Sequence, residues 1–146
     1  MKSKLVWKSQ MEFEAETQQH RLTMDSRAPL GKDRGMTPKE LVVCGLAGCT
    51  AMDVVALMKK HKQELTSFEV DADVEVSKGA HPLVFTRAHL NFRLAGQVDT
   101  AIVLESVRLS QTKYCGVSAM LSKALPITYS VYVNERLIGE GQAQFE

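Results

Sequence analysis

Residues 37–60 read TPKELVVCGLAGCTAMDVVALMKK. Thr37 is an N-cap residue, Pro38 occupies the first helical position, and Glu40 follows three residues after the cap. Together they form a capping box, a reciprocal pairing that satisfies backbone donors no helical partner can reach. The spacing predicts a helix from Pro38 to Lys60 or His61. Its basic last turns, KKHKQ, suit the negative end of the helix dipole. Between these ends the helix is apolar on nearly every face. Leu41–Met58 is borderline in length for a membrane span, but it carries Asp53 and many small residues inside an otherwise soluble pattern. A buried core helix is therefore expected. One curved sheet covers one side of such a helix, so a second copy of the chain is expected on the other, in a homodimer with this helix near the interface. A complete wrap by the strands of one chain is the alternative.

The flanking segments supply the sheets. Leu5–Glu14 alternates in part and pairs in expectation with Arg21–Met24 through a turn near Thr17–His20. Ala28–Met36, with Pro29, Gly31 and Gly35, reads as a loop. Ser67–Ser77 alternates apolar and acidic residues, Lys78–Pro82 is a turn, and Val84–Leu94 alternates again, which predicts a long hairpin. Asp99–Ser110 has helical spacing with Asp99 as its cap. Tyr114–Leu125 is a second helical segment stopped by Pro126. Ile127–Val133 and Leu137–Phe145 close the chain as strands around Asn134–Arg136. This order predicts an α+β fold in which antiparallel sheets pack around a long buried central helix. Nothing divides the 146 residues, so one domain over residues 1–146 is expected.

Lysine and arginine number 18 against 17 acidic residues, a balance that gives no reason to expect nucleic acid or an anionic membrane as partner. The start, MKSKLVWKSQMEFEAET, turns polar too early for a signal peptide. Three cysteines (Cys44, Cys49 and Cys115) argue against a disulfide framework, and reduced thiols in a cytoplasmic protein are expected. His20, His61, His81 and His89 are scattered and form no metal-binding pair, so neither a metal nor a bound cofactor is expected.

Three segments resemble the OsmC/Ohr family. TPKELVVCGLAGCTAMDVVALMKK looks like its central helix, with a Pro-x-Glu-Leu start and a cysteine about three turns in. HPLVFTRAHLNFRLAGQVD (residues 81–99) looks like its middle hairpin, and LSQTKYCGVSAMLSKALPITYSV (residues 109–131) like the segment with its second cysteine. The Cys-Thr-Ala-Met-Asp-Val run is closest to a generic OsmC-like branch. The resemblance runs from about Lys4 to Phe145. It implies an intertwined α+β homodimer and, in the better-known members, a thiol-dependent peroxidase. There one thiolate attacks peroxide and becomes a sulfenic acid, a second cysteine condenses with it to a disulfide, and an external dithiol such as a lipoyl group resets the enzyme.

Carried onto this chain, the resemblance makes Cys49 the attacking and Cys115 the resolving cysteine. A thiolate is required, yet a cysteine in mid-helix gains nothing from the helix dipole, and a charged Asp53 one turn later opposes it. Cys115, near the start of a short helix, is expected to have a somewhat lowered pKa. Cys44 lies about 140° around the helix from Cys49 at about 100° per residue, which assigns it to the core. Glu40 has a capping role and, by resemblance, that of the carboxylate orienting an arginine near the sulfur. The hydroperoxidases often place this glutamate directly after the proline, where this chain has Lys39. The place of their arginine, in the first hairpin turn, holds glutamine. Arg21 is the nearest substitute, with Arg27 and Arg34 as others. Met36, Met52, Met58 and Met120 are either gap-fillers or the lining of an apolar pocket. Gly45 and Gly48 permit close approach of another helix.

The expected function is reduction of organic hydroperoxides, or hydrogen peroxide, through a Cys49 sulfenic acid resolved by Cys115. The alternative is a non-enzymatic OsmC-like protein that senses redox state or binds a small apolar ligand.

Overall fold

Thr37 and Glu40 open the helix as the capping box requires. The Thr37 N–H donates to Glu40 Oε2 at 2.8 Å, and the Glu40 N–H donates to Thr37 Oγ1 at 3.3 Å. From there α1 runs from Pro38 to Lys60 and ends on two lysines. The computed structural model describes residues 1–146. They form two compact units, Met1–Val43 and Cys44–Glu146, whose boundary falls inside α1.

The first unit is an antiparallel meander of β1 (Lys4–Ser9), β2 (Glu12–Thr17) and β3 (His20–Met24). One strand was expected over Leu5–Glu14, and two are found. The reversal between them sits at Gln10, whose φ of 48° is in the left-handed region. The usual glycine or asparagine of such a turn is missing there, so the sequence carries no local mark of it. The Trp7 indole N–H closes the turn onto the Gln10 carbonyl at 2.8 Å. Beyond β3, Asp25 is 3% exposed. Its carboxylate accepts from the backbone N–H groups of Ser26, Lys32 and Arg34 at 2.7, 3.0 and 3.2 Å. This one side chain shapes the loop before α1. The loop packs so closely that a Cβ at Gly31 would collide with the Ser26 carbonyl and Asp25, and one at Gly35 with the Thr23 carbonyl.

The second unit holds a four-stranded sheet in the order β4 (Ser67–Val76), β5 (Phe85–Ala95), β6 (Ile127–Val133), β7 (Arg136–Gln142). The fold class is α+β, as expected, but this sheet is not wholly antiparallel. β5 and β6 run parallel, with Ala88 opposite Ile127 and Phe92 opposite Val131. A parallel pair needs a crossover, which here consists of α2 (Thr100–Leu109), one π-helical turn (Ser110–Tyr114) and α3 (Gly116–Leu121). Asp99 caps α2, accepting from the Ala101 N–H at 2.8 Å. The expected helix over Tyr114–Leu125 is shorter than its pattern, because the π-turn takes up its beginning and α3 ends at Leu121.

The core of this unit lies on one face of the sheet. Ala88, Leu90, Phe92 and Leu94 alternate inward from β5, Ile127, Val131 and Val133 from β6, and Val103 and Val107 come from α2. Leu46, Val54 and Met58 of α1 join the same cluster. With Thr50 they form an i, i+4 stripe, the narrow face of a core helix. The expectation that α1 is buried on every side is not met within the chain, and neither is the complete wrap by its own strands. Cys44, Gly45 and Ala56 are exposed, Met52 is 76% exposed, and added Cβ atoms at Gly45 and Gly48 would meet nothing within 4 Å. Cys44 is therefore not a core residue of the single chain. The four methionines do not share one role either, since Met58 is buried while Met36, Met52 and Met120 are exposed.

Candidate functional site

In the second unit, the middle of α1 faces the crossover. Cys49 is half-buried and Cys115 is wholly buried at 0% exposure, and neither is in a disulfide. Cys49 is close enough to Cys115 to make its thiol harder to ionise. Burial is the largest influence on Cys115 and pushes its pKa up. Hydrogen bonds from Ser118 pull it down only in part, and Cys49 adds to the rise. The lowered pKa expected at the start of a short helix is thus reversed. Cys115 does cap α3, with its Sγ accepting the Ser118 N–H at 3.3 Å. A weak sulfur acceptor does not offset the loss of water around the charge.

Beside the thiols runs a polar chain that sequence reasoning missed. Gln111 Nε2 donates to Thr50 Oγ1 at 2.6 Å, Thr50 Oγ1 meets Ser110 Oγ at 2.8 Å, and Ser110 Oγ donates to Asp53 Oδ2 at 3.0 Å. Thr50, Ser110 and Gln111 are all 0% exposed. The signal for it was Thr50, a hydroxyl set in the apolar stripe Leu46, Val54, Met58. A buried hydroxyl needs a partner, but the sequence does not say which one. The π-turn supplies it. Its i to i+5 hydrogen bond, Cys115 N–H to the Ser110 carbonyl at 3.0 Å, ties the hydroxyl that meets Asp53 to the cysteine that meets Cys49. Single π-turns are frequent at functional sites. Burial raises the Asp53 pKa, and the Ser110 hydrogen bond opposes this only partly.

In the first unit, the structure decides which arginine Glu40 holds. Arg27 reaches Glu40 Oε1 at 2.6 Å, while Glu40 Oε2 keeps its capping bonds to Thr37. Arg21 stays in its hairpin, 3.3 Å from Glu16 and 3.9 Å from Glu14, and Arg34 pairs with Glu12 at 3.5 Å. Glu40 is therefore paired with Arg27 rather than with Arg21. The Thr37 N–H, then Arg27 and the Thr37 hydroxyl, lower the Glu40 pKa from its ordinary 4.5 to about 2. A carboxylate with a depressed pKa stabilises the fold fully above its unfolded value and loses that contribution as pH falls through its folded one. The Glu40 contribution is thus expected to be complete above pH 4.5 and lost on acidification toward about 2. It is modest, because solvent screens so exposed a pair. A carboxyl carbon NMR titration of Glu40 checks this, and a midpoint near the ordinary value would mean that the pair does not form.

The comparisons agree on one family. The model of the OsmC-like protein family matches residues 31–130. Protein YhfA of Escherichia coli K12 is 34% identical over 135 residues, which cover 91% of this chain and 98% of that protein. An OsmC-like protein from Mycoplasma pneumoniae superposes with a TM-score of 0.79 at 15% identity, covering 90% of this chain and 95% of that one. An organic hydroperoxide resistance protein OsmC from Legionella pneumophila superposes at 0.66 with 16% identity, covering 90% and 95%. At those identities the two structures speak for the fold alone, whereas the family model and YhfA span most of the chain. A capped central helix carrying one thiol, a crossover carrying a second thiol against it, and these matches lead to one conclusion: the chain belongs to the OsmC-like protein family.

Proposed function

We propose that this protein is a thiol-dependent peroxidase that reduces organic hydroperoxides, or hydrogen peroxide, with Cys49 as nucleophile and Cys115 as resolving cysteine. The observation that carries the reading is the closeness of a half-buried thiol on α1 to a fully buried one on the crossover. The Cys49 thiolate attacks the terminal peroxide oxygen. An S–O bond forms, the O–O bond breaks, and the sulfur loses two electrons to become a sulfenic acid, while the expelled alkoxide, or hydroxide from hydrogen peroxide, takes up a proton and leaves as an alcohol or water. Cys115 then attacks that sulfur, the disulfide forms, and the sulfenic oxygen departs as water with the Cys115 proton. An external dithiol, of which a lipoyl group is the expected kind, reduces the disulfide. Glu40 holds Arg27 rather than Arg21, so Arg21 is not the cation that this carboxylate orients. The name of the Legionella protein, organic hydroperoxide resistance, suits this chemistry.

The working unit is proposed to be a cytoplasmic homodimer. The outer face of α1 supports a second copy: Ala51, Met52, Val55, Ala56 and Lys59 line a depression of 380 Å³ there, and exposed Tyr114 and Met120 add apolar surface.

The test is consumption of cumene hydroperoxide with a dithiol as reductant. The wild-type protein is expected to turn over many times and Cys49→Ser to remove turnover altogether. Wild-type protein that consumes no more peroxide than Cys49→Ser would overturn the proposal.

A further inference from the structure

Breaking a peroxide bond by thiolate attack expels an alkoxide, a poor leaving group that needs a proton as it departs. The peroxidase reading above does not name the donor. Asp53 follows Cys49 by one helical turn, so the two side chains are neighbours on the α1 surface, about 5–6 Å apart between their Cβ atoms. Both are half-buried, so each keeps some solvent exposure.

The hydrogen bonds around Asp53 have a fixed direction. The single hydroxyl proton of Ser110 goes to Asp53 Oδ2, so Ser110 Oγ must accept from Thr50. Thr50, having donated, accepts from the Gln111 amide. The chain from Gln111 through Thr50 and Ser110 therefore ends on one carboxyl oxygen. It locks the carboxyl plane and leaves the other oxygen, Oδ1, without a hydrogen bond from the chain. Asp53 also makes no ion pair with lysine or arginine. Partial burial without a cationic partner makes its carboxyl easier to protonate than an exposed one, and the upward direction of its pKa agrees.

We propose that Asp53 is the general acid of the peroxide-cleaving step, presenting the Oδ1 proton to the departing alkoxide while Ser110, Thr50 and Gln111 hold the carboxyl in place. This rests on Cys49 being the peroxide-attacking cysteine. As the Cys49 sulfur bonds to the terminal oxygen and the O–O bond breaks, the proton passes from Asp53 to the alkoxide oxygen. The products are the Cys49 sulfenic acid, an alcohol and the Asp53 carboxylate, which regains its proton from solvent before the next turnover.

The leaving group tests it. The rate of Cys49 oxidation in a single turnover is compared for tert-butyl hydroperoxide, which expels an alkoxide, and peracetic acid, which expels acetate and needs no proton. In Asp53→Asn, which keeps shape and can still accept from Ser110, the tert-butyl hydroperoxide rate is expected to fall about 100-fold while the peracetic acid rate stays within about 3-fold, the loss usual for a general acid. Ser110→Ala, which keeps Asp53 but frees its carboxyl, is expected to show the same selectivity with a smaller loss. If the wild-type Cys49 reacts with neither oxidant faster than a free thiol, the peroxidase reading falls and this inference with it. If the wild type reacts but both variants lose both oxidants equally, or neither variant loses any, the peroxidase reading stands and the role of Asp53 is refuted.

Discussion

Cys115→Ser is expected to turn a repeating catalyst into one that reacts once. The first oxidation proceeds at Cys49, because that sulfur needs no help from Cys115 to attack the peroxide. The sulfenic acid then has no thiol against it. In the native chain Cys115 is held in place by its Ser110 and Ser118 hydrogen bonds, so resolution is expected to be intramolecular. Oriented neighbours commonly replace very high concentrations of a free reactant, and steady-state turnover is expected to fall by roughly 100-fold or more when the neighbour is removed. Two measurements check this. Mass spectrometry after one equivalent of peroxide is expected to find the variant heavier by a single oxygen, trapped by dimedone at Cys49, where the native chain has lost two hydrogens instead. Coupled dithiol consumption is expected to nearly stop. Undiminished turnover in the variant would show that the external dithiol reduces the sulfenic acid directly and that Cys115 is a packing residue.

The largest loss of stability is expected at Phe92. It is fully buried, lies at the centre of the β5 inner face, and meets the Tyr129 ring edge-on with centroids 6.1 Å apart and planes at 90°. Phe92→Ala removes that aromatic contact and leaves a cavity that the sheet cannot close, because β4 and β6 are bonded to β5 on both sides. The expected cost is about 3–5 kcal/mol, read as a lower midpoint in chemical denaturation with little change in slope. The thiol pair would be the functional casualty, since α1 and the crossover share this core.

Local chemistry made much of the fold readable. Thr37, Pro38 and Glu40 mark the start of α1 within four residues, and Asp99 marks α2 in the same way, because caps are satisfied by near neighbours in sequence. The alternation in β4 and β5 is equally local. The turn at Gln10 was hidden because it uses a residue that seldom adopts positive φ. The parallel pairing of β5 with β6 was hidden because strand order depends on what lies between strands, and an antiparallel return would have shown the same alternation. At the site, the cysteines were named through family resemblance, and nothing in their spacing placed them together. Thr50, a hydroxyl in an apolar stripe, was passed over and would in any case have named neither Ser110 nor Gln111, and Glu40 pointed to a cation without choosing between Arg21, Arg27 and Arg34. In each case the missing information is a contact between residues distant in sequence.

The parallel β5–β6 pair also bears on how the chain comes together in time. The β4–β5 and β6–β7 hairpins can zip from their own turns, but the sheet is joined only when residues 96–126 have closed as a loop. Closure of a long segment carries an entropic penalty before any contact rewards it, and this slows folding in topologies of high contact order. Ser110, Gln111 and Cys115 ride on that segment. Cys115 thus sits on the segment whose closure joins the two hairpins into one sheet, while Cys49 lies on α1 outside it.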